Sequence, residues 1–330
     1  MFDLKAFREQ SLPTQAQIIS QWEGNLTSPL VSVICTAYNQ ESYIEDALKG
    51  FLMQKTDFPF EIIIHDDAST DKTADIINGY AKKYPLIIKP ILQKNNQYSI
   101  NGHLPLLNTK AVASGEYLAI CEGDDFWIDE NKLQKQAELL VNSKNINICI
   151  SKAISLFPDG TTKSFCDLGN DIKIIPFEKC IIGPKKDFFP TGSFFLKREA
   201  FNLLPDWFEI EAPVGDYYIQ LISAKYNGVL YLPDTLSVYR RDAIGSWSKR
   251  NNNNRILIDL KKRVNCIHLL YPTIDFKYRK TLRLKIAIYQ SICLRIHMRN
   301  RDYFESFKLI ISLLKNIDVI TNYIITNKIM

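Results

Sequence analysis

From Val31 to about residue 122, short runs rich in β-branched residues alternate with stretches of helical length, and this rhythm leaves few architectures open. VSVICTA (31–37), FEIIIH (60–65), LIIKPIL (86–92) and EYLAICE (116–122) read as buried strands. The segments at about 42–53, 71–83 and 104–113 are each long enough to cross from one parallel strand to the next. Such alternation specifies an α/β fold with a mostly parallel, doubly wound sheet and right-handed crossovers. At 330 residues and 46% hydrophobic, the chain has enough apolar material to cover both faces of that sheet. Ligands settle outside the carboxyl ends of the strands in these folds, so the chemistry should lie just after each run. Thr36, Tyr38 and Asn39 follow the first run, Asp66 and Asp67 the second, and Asp124 and Asp125 the fourth. Ser69 or Thr70 is placed to cap the helix near residue 71, and Asp129 to cap NKLQKQAELL, with Ile128 and Leu133 as a staple.

The pair Asp124-Asp125, in AICEGDDFWID, sets two like charges where a buried strand stops. Neighbouring carboxylates raise each other's pKa, so the arrangement is costly unless a cation or hydrogen-bond donors lie against them. A helix-entry loop with two solvated aspartates is the plainer alternative. His65 precedes the other acidic pair and points to the opposite face of its strand, which suits a packed core histidine.

Beyond residue 145 the rhythm changes to short strands and loops. The Pro/Gly-rich loop GPKKDFFPTGS (183–193) leads into an expected strand holding Gly192 and Ser193, and Asp216 starts an amphipathic helix in EIEAPVGDYYIQLISAKY. NNNN at 251–254 reads as a linker. The expected organisation is an N-terminal extension (1–29), a catalytic domain (30–250) and a basic helical C-terminal region (251–330). Residues 251–330 hold 15 Lys and Arg against 5 Asp and Glu, a net +10 that leaves the first 250 residues at −5. Such asymmetry points to an acidic working domain with a basic accessory segment. The tail carries no nucleic-acid recognition motif, so nucleic acid is not an expected partner. An anionic membrane surface fits better. LIISLLKNIDVITNYII (309–325) is apolar but broken by Lys315, Asn316 and Asp318, so it suits an interfacial position rather than a span. The alternative is a helical cap packed on the catalytic domain or on a second copy. MFDLKAFREQ lacks the apolar core of a signal peptide, giving an expected cytoplasmic location at the inner face of the cell membrane. The seven scattered cysteines form no CxxC pair and read as reduced, buried thiols.

VSVICTAYNQESYIEDAL, IIIHDDASTDKT, GEYLAICEGDDFW and GDYYIQL, in that order and at those intervals, resemble the family 2 glycosyltransferases with the A-type nucleotide-sugar fold. The resemblance covers roughly residues 30–250. It implies inverting transfer of one sugar from a nucleotide-sugar, UDP-linked by preference, to a glycan or lipid-linked saccharide in bacterial surface polysaccharide synthesis. Under it, Asp125 is a ligand of Mn²⁺ or Mg²⁺, with Asp124 nearer the ribose or a metal-bound water. Asp67 accepts a hydrogen bond from the uracil, an edge that a thymidine carrier shares, and Thr36 packs at the same base. Tyr38 stands beside them, with either a binding or a structural role. Gly192 and Ser193 lie beneath the donor sugar, and Arg240 or Arg241 meets the diphosphate. Asp216 is the general base, with a helix N-cap as the alternative. Trp247 either stacks on a sugar or anchors its loop.

The chemistry makes the same demand of its own accord. A departing diphosphate needs its developing charge stabilised, and a hard divalent cation on one or two carboxylates does so. A QxxRW motif and transmembrane helices, marks of processive synthases in this family, are missing from the sequence. A non-catalytic nucleotide-sugar binding or scaffold subunit is the alternative. A dinucleotide oxidoreductase is disfavoured because TAYNQES, not GxGxxG, follows the first strand.

Overall fold

The computed structural model describes residues 2–24, 28–183, 189–245 and 253–328. After two short helices, α1 (Leu4–Glu9) and α2 (Gln15–Ile19), the expected alternation follows: β1 (Val31–Ala37), α3 (Ile44–Leu52), β2 (Phe60–Asp66), α4 (Thr73–Lys83), β3 (Ile88–Leu92), α5 (Leu104–Val112) and β4 (Tyr117–Ile120). These strands are parallel, in the spatial order β3-β2-β1-β4. β1 is central, with Val31 opposite both Phe60 and Tyr117.

The chain then runs through β5 (Phe126–Trp127), α6 (Lys132–Val141), β6 (Ile148–Leu156), β7 (Thr162–Phe165), β8 (Lys173–Ile175), α7 (Phe177–Ile182), β9 (Phe195–Lys197), α8 (Arg198–Phe201), α9 (Trp207–Glu211), α10 (Gly215–Ala224) and β10 (Val229–Arg240). Here the sheet becomes mixed. β9 inserts antiparallel between β4 and β6, β10 runs parallel to β6, and β5 pairs antiparallel with β10. The parallel order expected from the first 122 residues therefore describes one half of a larger α/β sheet. In the other half β9 runs antiparallel to both its neighbours, while β6 and β10, with helices between them along the chain, stay parallel.

Alternation along the strands explains why both faces are covered. Val31, Val33 and Cys35 of β1, with Ile62 and Ile64 of β2, pack under α3, α4 and α6. Ile34, Ile63, Leu118 and Ile120 face the other way, into the cluster that holds α10. Buried on both sides, these strands read as unbroken apolar runs rather than as alternating ones. All seven cysteines are buried free thiols.

The tail consists of α11 (Asn253–Leu270), α12 (Arg279–Arg299), α13 (Tyr303–Leu314) and α14 (Ile317–Lys328). Leu260, Ile267 and Leu270 of α11, and Leu282, Ile286 and Tyr289 of α12, belong to the same apolar cluster as Ile34 and Leu118 of the sheet. These two helices thus share the core of the sheet domain. Among the described residues, no helix is long and apolar enough to cross a membrane.

Candidate active site

Three loops at the carboxyl ends of the parallel strands are laced together. Asn39 adopts a left-handed φ of 52°, which asparagine tolerates. Its Oδ1 accepts the Thr70 N–H at 2.8 Å, and its own N–H donates to Ser69 Oγ at 2.9 Å. Ser69 and Thr70 are therefore spent on this crossing rather than on capping α4, where Asp71 Oδ1 accepts the Thr73 N–H instead. Asp129 likewise accepts the Asn131 N–H and pairs with Lys135 in front of α6. Thr36 is half-buried near the end of β1, and its carbonyl accepts the Gly123 N–H at 3.0 Å, joining the first loop to the acidic one. Tyr38 stands 37% exposed beside it.

Asp67 is buried, and its N–H donates to the Ala37 carbonyl. Its two carboxylate oxygens accept the Gln97 and Tyr98 N–H groups at 2.6 and 3.0 Å. It thus pins the loop after β3 over the strand ends. Asp66 Oδ2 accepts the Ser69 N–H, while its Oδ1 is buried without a partner. His65 is fully buried and its pKa is lowered by burial, as a packed imidazole requires.

The acidic loop after β4 is held by its neighbours. A Cβ on Gly123 would stand 2.3 Å from Gln40 Oε1 and about 3 Å from Ile44 and Ala37, so a side chain here would displace Gln40 and crowd β1 and α3. Immediately after the pair, Phe126 and Trp127 zip onto Val238 and Ser237 of β10, which delivers Arg240 to the carboxylates. The Arg240 N–H donates to Asp125 Oδ1 at 2.8 Å, and its Nη1 to the Asp124 carbonyl at 2.6 Å. Its Nη2 pairs with the buried Asp46 of α3. Arg8 of α1 grips the other side of Asp46 with a two-pronged contact at 2.8 and 2.7 Å. Arg240 also lies over the rings of Tyr43 and Phe126. Arg240 therefore points into the protein and holds the acidic loop from behind, which corrects the expectation that it reaches outward to a diphosphate. Arg241 is likewise turned inward, with Nε on Ser155 Oγ and its plane against Phe165 and Tyr239.

Gly192 and Ser193 sit in a 3₁₀ turn, Thr191–Ser193, rather than in a strand. Prolines and glycines favour turns, and Ser193 Oγ closes this one by donating to the Pro190 carbonyl. Gly192 lies under the acidic pair: a Cβ there would touch Cys121, Ser237 and Asp125 at 3.5–3.9 Å. Trp127 Nε1 donates to the Gly192 carbonyl at 2.7 Å, fixing the turn to β5. Trp247 falls outside the described residues.

Asp216 lies in the first turn of α10, and its Oδ1 accepts the N–H of Tyr217, the next residue. Val214, not Asp216, occupies the N-cap position, and the Asp216 carboxylate meets the first-turn Tyr217 N–H from within the helix. Burial raises its pKa, against the pull of Arg263 from α11 and the Tyr217 N–H. The structure adds a carboxylate that the sequence reading passed over. Glu122 is exposed, and desolvation by the surrounding protein, Asp124 and Asp216 push its pKa up to about 8. Its signal was the Glu-x-Asp spacing with Asp124 at a strand end. Asp124 and Asp125 are raised too, by burial first; in Asp125, Asp124 and Glu122 add to the shift and Arg240 opposes it.

Glu122 thus feels the charges of both Asp124 and Asp216, and Asp125 those of Asp124 and Glu122, an acidic group that Arg240 and Arg263 only partly offset. An all-carboxylate donor set of hard oxygens suits Mg²⁺ or Mn²⁺. Among the described residues, no three or more His, Cys, Asp or Glu converge tightly enough to cage an ion by themselves.

Comparison with known proteins agrees with this architecture. An uncharacterized protein of Mycobacterium tuberculosis is 36% identical over 230 residues, 68% of this chain and 62% of the relative. The match therefore spans less than two thirds of that relative. The structure of S. aureus TarS residues 1–349 in complex with UDP-GlcNAc is similar over 87% of this chain and 88% of its own, with a TM-score of 0.53 at 14% identity. The mannosyltransferase PcManGT from Pyrobaculum calidifontis, in complex with GDP-Man and Mn²⁺, is similar over 95% and 92%, with a TM-score of 0.53 at 16% identity. These likenesses give the A-type glycosyltransferase fold with a helical C-terminal region. The model of the Glycosyl transferase family 2 matches residues 32–204, more than half of the chain, and on that match the chain belongs to glycosyltransferase family 2.

Proposed function

We propose that the chain transfers a single sugar, with inversion, from a UDP-sugar to a hydroxyl of a glycan or lipid-linked saccharide destined for a bacterial surface polysaccharide, working at the cytoplasmic face of the membrane. One observation carries the reading: Glu122, after β4 and beside Asp124 and Asp125, lies close enough to Asp216 of α10 for that carboxylate to raise its pKa. Opposed acidic groups with separate supports suit a reaction in which one side holds a leaving diphosphate and the other primes a nucleophile.

Asp216 takes the proton of the acceptor hydroxyl while that oxygen bonds to the anomeric carbon, and the bond from that carbon to the diphosphate oxygen breaks. A carboxylate raised by burial is a stronger base than a solvated one, and such assistance contributes about 10²–10⁴-fold in rate. Asp124 and Asp125 would hold Mn²⁺ or Mg²⁺ with Glu122 beside them, and that ion would supply charge neutralisation for the leaving diphosphate. Asp67, Thr36 and Tyr38 receive the pyrimidine, and Gly192 and Ser193 form the floor beneath the sugar. Arg240 positions Asp124 and Asp125 from behind.

The test is Asp216→Asn in a donor screen with and without Mn²⁺. Transfer should fall at least about 100-fold while UDP still protects the protein from thermal unfolding. Unchanged turnover removes Asp216 from the mechanism. UDP binding without transfer from any donor in the wild type favours a non-catalytic binding subunit, and UDP protection that ignores Mn²⁺ counts against a metal at Asp124 and Asp125.

A further inference from the structure

Helix α13 is turned the wrong way round for a soluble surface. Its Ser306 is buried, Leu309 packs on the core, and Ser312 accepts from Gln290 of α12. The opposite arc carries Tyr303, Phe304, Phe307, Ile310, Ile311 and Leu314, exposed by 42–72%. At 100° per residue these six positions fall within one 120° sector, and Lys308 and Lys315 line its edge. Lys308 lies 4.0 Å over the Phe304 ring, so cation and aromatic surface already occupy the same patch. Arg295, Arg299 and Arg301, all exposed, sit at the corner where α12 turns into α13. Ile317, Ile324 and Ile325 of α14 are also about half exposed.

We infer that this face of α13 docks on an anionic lipid bilayer, lying in the interface with its aromatic and aliphatic side chains among the acyl chains and its basic residues at the headgroups. Charge complementarity selects this occupant. A second copy would bring Lys308, Lys315 and the exposed arginines of the α12–α13 corner against their own copies, whereas an anionic surface attracts them. Interfacial helices combine an apolar sector with Lys or Arg beside it in this way. A helix of 12 residues is too short to span and long enough to lie flat. Docking here goes beyond sugar transfer and does not depend on it.

The test is co-sedimentation of the full chain with phosphatidylcholine vesicles containing or lacking about one third phosphatidylglycerol. Two variants, Phe304→Ser/Phe307→Ser/Leu314→Ser and Lys308→Gln/Lys315→Gln, are run beside it, with thermal unfolding to confirm the fold and UDP protection to report the nucleotide site separately. The wild type should bind the anionic vesicles selectively. The lysine variant should bind about 30-fold more weakly, from the usual contribution of a basic side chain near anionic lipid, and the apolar variant should lose binding. Absence of binding, equal binding to neutral vesicles, or variants that bind like the wild type overturns the inference. So does a wild-type dimer that the apolar variant turns into a monomer without any vesicle binding, since a second copy would then own the face.

Discussion

Replacing Asp46 by Ala should be among the most damaging single changes behind the acidic loop, although Asp46 touches no expected ligand. Its side chain is 4% exposed and stands between two guanidiniums. They are not equivalent. Arg8 is 49% exposed, so losing its partner returns it to water at little cost, about 0–1 kcal/mol. Arg240 is 7% exposed and cannot be rehydrated in place. After Asp46→Ala it keeps the Asp124 carbonyl, two aromatic rings and the charges of Asp124 and Asp125 beyond ion-pair distance, but no ion pair. Removing one partner of a buried ion pair typically costs about 3–5 kcal/mol, because the other charge is left uncompensated. The expected ranking is therefore Asp46→Ala at about 3–5 kcal/mol and Arg8→Ala at about 1 kcal/mol or less. Equilibrium urea unfolding of both variants reads this difference directly. Because Arg240 also fixes Asp124 and Asp125, Asp46→Ala should weaken protection by UDP with Mn²⁺ more than Arg8→Ala does. An Asp46→Ala variant within 1 kcal/mol of wild type, or an Arg8→Ala variant that costs as much, would refute the claim that the buried Arg240 charge dominates.

Two further outcomes follow from the same geometry. Glu122 binds its proton more tightly when folded, with a pKa of about 8 against an ordinary 4.5, so it costs stability progressively as pH rises through that interval. Glu122→Gln should gain stability relative to wild type from pH 4.5 to 8, as measured by parallel thermal melts, and a gap independent of pH contradicts the assignment. Gly50 of α3 has room for nothing larger, since a Cβ there would sit 2.6 Å from the Trp127 carbonyl oxygen. Gly50→Ala should cost about 1–3 kcal/mol by overpacking and loosen the strand that follows Asp125, seen as weaker UDP protection. A neutral Gly50→Ala would mean that α3 shifts freely against β5.

The strands β1 to β4, their crossover helices and the acidic residues at their tips were readable from the chain because local patterning determines them. A doubly buried parallel strand must be apolar throughout, a crossover needs a minimum length, and ligands settle at the tips of such strands. The sequence by itself therefore determined the fold class and most of the candidate cleft, and the order of four motifs sufficed to point to the family. Only the tertiary structure decided the rest. Mixed pairing around β9 and β10 depends on contacts between segments about 50 to 110 residues apart in the chain, which no local period encodes. The inward turn of Arg240 depends on Asp46 and on Arg8, separated from it by 194 and 232 positions; a phosphate-seeking arginine and a buried structural one look alike in sequence. The exposure of the apolar sector of α13 was equally hidden, because periodicity reveals that a helix has an apolar side and only packing determines whether that side faces the core or the solvent.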